Sequence, residues 1–222
     1  MQQTFDAFVF DMDGTLGDTL PLCVEAFRRC VSEHTGTTPT AQEVLQYFGK
    51  SDRGVLGALL GIHPDAPELP VEHFVSIYEE MHPTWAPAPF PGAVEMLQRL
   101  RARGIRLALI TGKEAYTGEP TLRRFGMEGI FEWIGYGTPT HNCKDERLLE
   151  LMQLWNMSAE DLLYVGDAPS DIELCHKVGV AIINAAWGSG TETDAAACLA
   201  LQPEYRLNHF EELEPLITQL TT

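Results

Sequence analysis

In Ala7-Phe8-Val9-Phe10-Asp11-Met12-Asp13-Gly14-Thr15, two carboxylates, a glycine and a hydroxyl follow directly on a short apolar run. Like charges about 4 Å apart repel by roughly 4 kcal/mol at an effective dielectric near 20, so Asp11 and Asp13 call for a shared proton, a neighbouring lysine or arginine, or a bound cation. Hard carboxylate oxygens suit Mg²⁺. The plain alternative is a helix cap with an Asx turn, since Asp and Gly are ordinary turn residues. Two further strings repeat the arrangement. Leu107-Ala108-Leu109-Ile110 runs into Thr111-Gly112-Lys113, offering a hydroxyl and backbone N–H groups suited to a phosphate. Leu163-Tyr164-Val165 runs into Gly166-Asp167-Ala168-Pro169-Ser170-Asp171, adding two more carboxylates. Singly, the first of these is a turn and the second a helix cap; their common position after apolar runs gives them weight.

Such a site also needs a positive charge, to orient a nucleophile and to neutralise a dianionic substrate. The chain has four lysines, Lys50, Lys113, Lys144 and Lys177. Lys144 opens a helix, where its side chain can swing over a sheet edge, and is the preferred candidate, with Lys113 the alternative. Lys177 lies within a helix and is expected to be solvated. In Gly49-Lys50-Ser51-Asp52-Arg53, either cation could read a substrate carboxylate or be a solvated loop charge. His82 and Trp85 either line a cleft or pack within a connector.

The elements that must position these groups follow from periodicity. Four consecutive apolar residues bounded by turn chemistry read as a buried strand, and Gly14 lets the chain turn sharply beyond it. Strands are expected at Ala7–Phe10, Arg106–Thr111, Phe131–Tyr136, Leu162–Gly166 and Val180–Ile183. Helices are expected at Val94–Arg103, Thr121–Phe125, Asp145–Trp155, Ser170–Val178 and Glu211–Leu220; residues 184–210 receive no element. This alternation predicts an α/β fold, a doubly wound parallel sheet with helices on both faces and ligands at the carboxyl ends of its strands. After Asp18-Thr19 the pattern turns wholly helical. Leu20, Val24, Phe27 and Val31 fall at helical spacing, Thr40-Ala41-Gln42-Glu43 is a capping box, and Asp52–Leu60 and Val71–Met81 read as two more helices. Prolines at 83, 87, 89 and 91 suggest a semi-rigid connector back to the sheet. The division is therefore residues 1–18 and 88–222 as core, with 19–87 as an inserted α-helical domain.

A length of 222 residues, 45% hydrophobic and 21% charged, is that of a globular core with a small insert. A net charge of −17 argues against nucleic-acid backbones and anionic membrane surfaces as partners. Cys23, Cys30, Cys143, Cys175 and Cys198 show no metal or disulfide spacing, which points to a reducing cytoplasm. No apolar run approaches membrane-spanning length, and the amino terminus lacks a basic region followed by a long apolar stretch.

Asp11-x-Asp13-Gly14-Thr15, the strand-borne Thr111, the downstream Lys144 and Gly166-Asp167-x-x-x-Asp171, in this order, resemble the four motifs of the haloacid dehalogenase-like hydrolase superfamily. The resemblance covers nearly the whole chain, and the helical insert is similar to the small cap of the phosphoglycolate phosphatase branch, on a Rossmann-like core. It implies that Asp11 is a nucleophile forming an aspartyl-phosphate and that Asp13 is the general acid and base. Thr111 and Gly112 would hold phosphoryl oxygens, with Lys113 beside them, and Lys144 would stabilise developing charge. Mg²⁺ would take Asp11, the Asp13 carbonyl, Asp167 and Asp171. The family pattern usually has proline after the lysine, whereas Lys144 is followed by Asp145-Glu146-Arg147. The implied partner is a small phosphorylated metabolite and the implied reaction phosphomonoester hydrolysis. A sugar-phosphate mutase, a pyrophosphatase and a non-catalytic phosphate-binding protein are the alternatives. Halide removal goes with loss of the second aspartate, and Asp13 is present.

Overall fold

A computed structural model describes residues 4–188 and 192–221. Its elements in chain order are β1 (Ala7–Phe10), α1 (Leu20–Thr35), α2 (Ala41–Leu45), α3 (Asp52–Leu60), α4 (Val71–Trp85), α5 (Ala93–Ala102) and β2 (Arg106–Ile110). They continue with α6 (Ala115–Arg124), β3 (Trp133–Gly135), α7 (Lys144–Trp155), β4 (Leu162–Gly166), α8 (Pro169–Val178), β5 (Ala181–Ala185), α9 (Glu192–Ala200), β6 (Tyr205–Leu207) and α10 (Leu213–Leu220). The strands form one sheet in the order β3-β2-β1-β4-β5-β6, every neighbouring pair parallel. β1 lies at its centre, with Phe10 in register with Leu109 on one side and Val165 on the other.

Side-chain alternation explains why helices must cover both faces. Phe8 and Phe10 of β1, Leu107 and Leu109 of β2, and Leu163 and Val165 of β4 point into one buried cluster, closed by Met96, Leu97 and Leu100 of α5 and by Leu213, Ile217 and Leu220 of α10. The intervening Ala7, Val9, Ala108, Ile110, Leu162 and Tyr164 point into a second, closed by Leu148 and Leu151 of α7 and Ile172 and Cys175 of α8. A strand buried on both faces needs consecutive apolar residues, as these strands have.

The helices of segment 19–87 pack on one another, α1 lying against α2, α3 and α4. Phe27 of α1 stacks on Phe74 of α4 with ring centroids 4.4 Å apart. The capping box is present: Thr40 Oγ1 accepts the Glu43 N–H, and Glu43 Oε2 accepts the Thr40 N–H.

Three expectations are corrected. α4 continues through Pro83 to Trp85, so the connector begins later; near the helix end the N–H that Pro83 lacks costs α4 a single intrahelical bond. α6 starts at Ala115 and contains Gly118 and Pro120, whose breaking tendency hid its first half. Residues 184–210 hold α9 and β6. The first is alanine-rich and the second is a three-residue edge strand, so neither carries a clear apolar period.

Candidate active site

Asp11, Thr111 and Asp167 are delivered by strand ends, and Asp171 and Lys144 by the first turns of the helices α8 and α7. The Asp11 N–H donates to Val165 O at 2.9 Å, which fixes the chain leaving β1 against β4. Gly14 then turns with φ of 76°, and a Cβ there would lie 2.3 Å from Asp167 Oδ2, so only glycine lets the β1 loop and the β4 loop meet this closely. Trp187 Nε1 donates to Thr15 O at 3.1 Å and holds that loop from the end of β5. Asp171 lies in the first turn of α8, where Oδ2 accepts the Ala168 N–H at 3.2 Å. The same carboxylate is thus a helix cap through one oxygen and a site group through the other.

Asp11, Asp167 and Asp171 come together: a carboxylate oxygen of each lies within 4.8 Å of the others, and all three residues are buried. Lys144 Nζ, from the amino terminus of α7, lies 2.9 Å from Asp11 Oδ2 and 2.7 Å from Asp171 Oδ1. Thr15 Oγ1 donates to Asp167 Oδ1 at 3.4 Å. Three carboxylates against one ammonium leave a negative surplus in a buried site. Burial above all, with Asp171 and Asp13 adding to it, pushes the Asp11 carboxyl up to about 7 against the pull of Lys144. Burial, with the Asp11 and Asp171 charges adding to it, pushes Asp167 well above the usual carboxylate range. Lys144 is held well above its ordinary value by Asp11 and Asp171, which outweigh its burial.

The donor set fits a hard divalent cation: oxygen ligands only, converging from two strand ends, with charge left to neutralise. A consequence is measurable. A carboxyl whose folded pKa is raised stabilises the fold while protonated and loses that contribution as pH rises through the folded value. Without metal, thermal stability is expected to fall as pH climbs from about 4 through 7, the window set by Asp11. Mg²⁺ bound at the ionised carboxylates would largely cancel the fall, and the Mg²⁺-induced rise in melting temperature should then grow with pH. Scanning calorimetry from pH 5 to 8 with Mg²⁺ or with chelator checks both signs.

Around Asp13 a second lysine is placed. Lys113 Nζ lies 3.1 Å from Asp13 Oδ1 with its side chain almost fully buried, and Thr19 Oγ1 donates to the same oxygen. Both candidate lysines therefore reach the sheet edge, each on a different aspartate. Thr111 is buried at the end of β2, its N–H on Gly135 O at 3.0 Å and its Oγ1 accepting the Lys113 N–H at 3.2 Å. A Cβ added at Gly112 would meet nothing within 4 Å, so open space lies beside that turn.

Arg53 is engaged by Glu114 at 2.9 Å and by Asp65 at 3.3 Å, and Lys50 Nζ lies 5.8 Å from the centre of the Tyr47 ring. Lys177 has a largely exposed side chain and pairs with Asp145 at 2.5 Å. His82 is buried between the Tyr78 and Phe125 rings, with Nε2 3.2 Å from Thr121 Oγ1, and burial pulls it down to about 4. Trp85 is 44% exposed.

Sequence reasoning missed several residues here. Thr19 and Cys23 sit on Asp13 from the start of α1, and Asp52 of α3 accepts the Glu114 N–H at 2.9 Å and the Thr117 hydroxyl at 2.5 Å. Asn184 Nδ2 donates to Asp167 O at 3.4 Å and is itself met by Arg206 at 2.6 Å. Thr19 could have been found as the hydroxyl opening a helix beside the aspartates; the others depend on contacts distant in sequence.

The model of the family described as haloacid dehalogenase-like hydrolase matches residues 8–185, and the chain belongs to that family of hydrolases. A phosphoglycolate phosphatase of Pseudomonas putida is 31% identical over 191 residues, covering 81% of this chain and 69% of its own. A Caldanaerobacter subterraneus protein with the provisional name pyrophosphatase PpaX is 28% identical over 183 residues, covering 82% and 81%. Among solved structures, CbbY of Rhodobacter sphaeroides, crystallised in complex with phosphate, shares the fold with a TM-score of 0.74 at 19% identity, over 95% of this chain and 96% of that one.

Proposed function

We propose that the protein is a Mg²⁺-dependent phosphatase of small phosphomonoesters, phosphoglycolate-like in substrate size, acting through an aspartyl-phosphate on Asp11. The observation that carries this is the convergence of Asp11, Asp167 and Asp171 on one point with Lys144 bonded to two of them. The names of the relatives favour the same chemistry. Segment 19–87 is read as a cap over the strand ends, since Ser51 N–H donates to Thr138 O at 2.8 Å and Tyr78 OH lies 2.9 Å from Thr121 Oγ1.

Asp11, Asp167 and Asp171, with the Asp13 carbonyl, would hold Mg²⁺, which would neutralise charge on the phosphoryl oxygens. An Asp11 oxygen attacks phosphorus while the bond to the leaving oxygen breaks, and Asp13 gives that oxygen a proton. Asp13 then takes a proton from water as the water oxygen attacks phosphorus, and inorganic phosphate leaves with Asp11 restored. Lys144 pulls the nucleophile toward its ionised form against its burial and offsets charge in both steps. Thr111 and Gly112 face the phosphoryl group. The helical segment shields the site from bulk water.

The test is release of inorganic phosphate from a panel of phosphomonoesters and pyrophosphate, with Mg²⁺ or with chelator. Mg²⁺-dependent release from monoesters is expected. A preference for pyrophosphate would contradict the substrate class, phosphoryl exchange between sugar phosphates without net phosphate would contradict hydrolysis, and inertness toward all would contradict the activity.

A further inference from the structure

Lys113 stands apart from the group gathered on Asp11. Its Nζ lies 3.1 Å from Asp13 Oδ1, donates to Cys23 Sγ at 2.9 Å and sits 4.9 Å from the centre of the Tyr78 ring, with the residue 3% exposed. An ammonium has three protons, and these three partners account for them. Cys23 and Tyr78 both belong to segment 19–87. A substrate anion would have to displace one of them to reach Nζ. On Asp13, Lys113, Thr19 and Cys23 all converge on Oδ1, the last at 3.8 Å, leaving Oδ2 as the oxygen to carry a transferable proton. The carboxylate side chain is 18% exposed, so it retains access to the cleft.

A second observation shows how Lys113 is held. Asp52, buried at the start of α3, accepts the backbone N–H of Glu114, the residue directly after Lys113, and the hydroxyl of Thr117 one turn on. Glu114 itself makes no side-chain cap bond for α6, so the amino terminus of this core helix is capped from the helical segment. Arg53, next in sequence, pairs with the Glu114 carboxylate at 2.9 Å.

We propose that Lys113, held in register by Asp52, is a positioning residue for Asp13: it occupies Oδ1 so that Oδ2 delivers the proton to the leaving oxygen. The inference rests on the phosphatase reading above. As the phosphorus–oxygen bond breaks, the proton moves from Asp13 Oδ2 to the departing oxygen and a carboxylate forms beside the ammonium. The stabilisation thus grows toward the transition state, where it raises turnover. It matters most for alkoxide leaving groups and least for aryl oxides that depart without a proton.

The experiment compares wild type, Lys113→Met and Asp52→Asn on glycerol 3-phosphate and p-nitrophenyl phosphate, all with saturating Mg²⁺. Lys113→Met is expected to lose about 10-fold or more in kcat on the alkyl ester and about 3-fold or less on the aryl ester, with KM near wild type for both. Asp52→Asn should show the same pattern more weakly. In an Asp13→Asn background, Lys113→Met should add no further leaving-group dependence. The ratio of the two rates does not depend on how much of a variant is folded, so a partly unfolded preparation still gives an answer. Equal losses on both esters, or a raised KM at preserved kcat, would overturn the proposal, the latter making Lys113 a substrate ligand. A wild type that releases phosphate from neither ester would overturn the phosphatase reading and this inference with it; a wild type active on both with no leaving-group effect in the variants would overturn this inference alone.

Discussion

Asp11→Asn is expected to lower Mg²⁺-dependent phosphate release by about 10⁴-fold or more, because no other group replaces a covalent nucleophile. The fold should survive intact. Asparagine has the size of aspartate, and the Asp11 N–H bond to Val165 O belongs to the backbone. The substitution also removes a charge that burial disfavours, since the Asp11 carboxyl is pushed up to about 7. At pH 8 in chelator the variant should therefore melt no lower than wild type, its Lys144 still paired with Asp171. Phosphate release and melting curves read together separate loss of chemistry from loss of structure. An Asp11→Asn protein with near-normal turnover would contradict the assignment of the nucleophile.

Lys144→Met is expected to have the second largest effect, and on stability as well as rate. The ammonium bridges Asp11 and Asp171, and without it three buried carboxylates face one another with no cation among the described residues between them. Removing one partner of a buried pair costs about 3–5 kcal/mol, because the charge left behind stays desolvated. In chelator at pH 8 the variant should melt well below wild type. Lowering the pH toward 5, where Asp11, held up at about 7, takes up its proton, should narrow the gap. Mg²⁺ should narrow it too, since the ion supplies charge at the same place. Turnover should remain low even with Mg²⁺, by about 10²–10³-fold, the usual loss when one preorganised group for developing charge is removed. Melting temperature against pH, with and without Mg²⁺, checks the first set, and kcat the second. A variant equally unstable at every pH would mean that Lys144 matters through packing of its stem rather than its charge.

Much of this arrangement was legible in the chain because strand ends announce themselves. Val9-Phe10 before Asp11, Leu109-Ile110 before Thr111 and Tyr164-Val165 before Gly166-Asp167 are apolar runs that must be buried on both faces, and parallel order sends their ends to one edge. The capping box at Thr40-Glu43 was equally plain, being a contact three residues apart. What could not be read was whatever depends on meeting at a distance. Lys144 is preferred on paper over Lys113, yet both reach the site, and only the three-dimensional packing puts one on Asp11 and the other on Asp13. Asp52 looks like a helix-opening acid of its own α3, yet it caps α6, sixty residues further on. Arg53 reads either as a substrate-carboxylate ligand or as a solvated loop charge, and nothing nearby in sequence announces its pairing with Glu114 and Asp65. The edge strand β6 was invisible for a different reason. Three half-buried residues have too little apolar surface to leave a period, and β5 supplies the pairing that defines them.

The central claim is that phosphoryl transfer passes through Asp11. Its most direct test is rapid acid quenching of wild type during turnover of a phosphomonoester with Mg²⁺, followed by mass spectrometry of the peptide that carries Asp11. A phosphate adduct on that aspartate, formed within one turnover and absent in chelator or in Asp11→Asn, is the expected result. Full-rate release of phosphate with the peptide unmodified at every quench time, with direct transfer to water shown by inversion at a chiral phosphorus, would contradict the account.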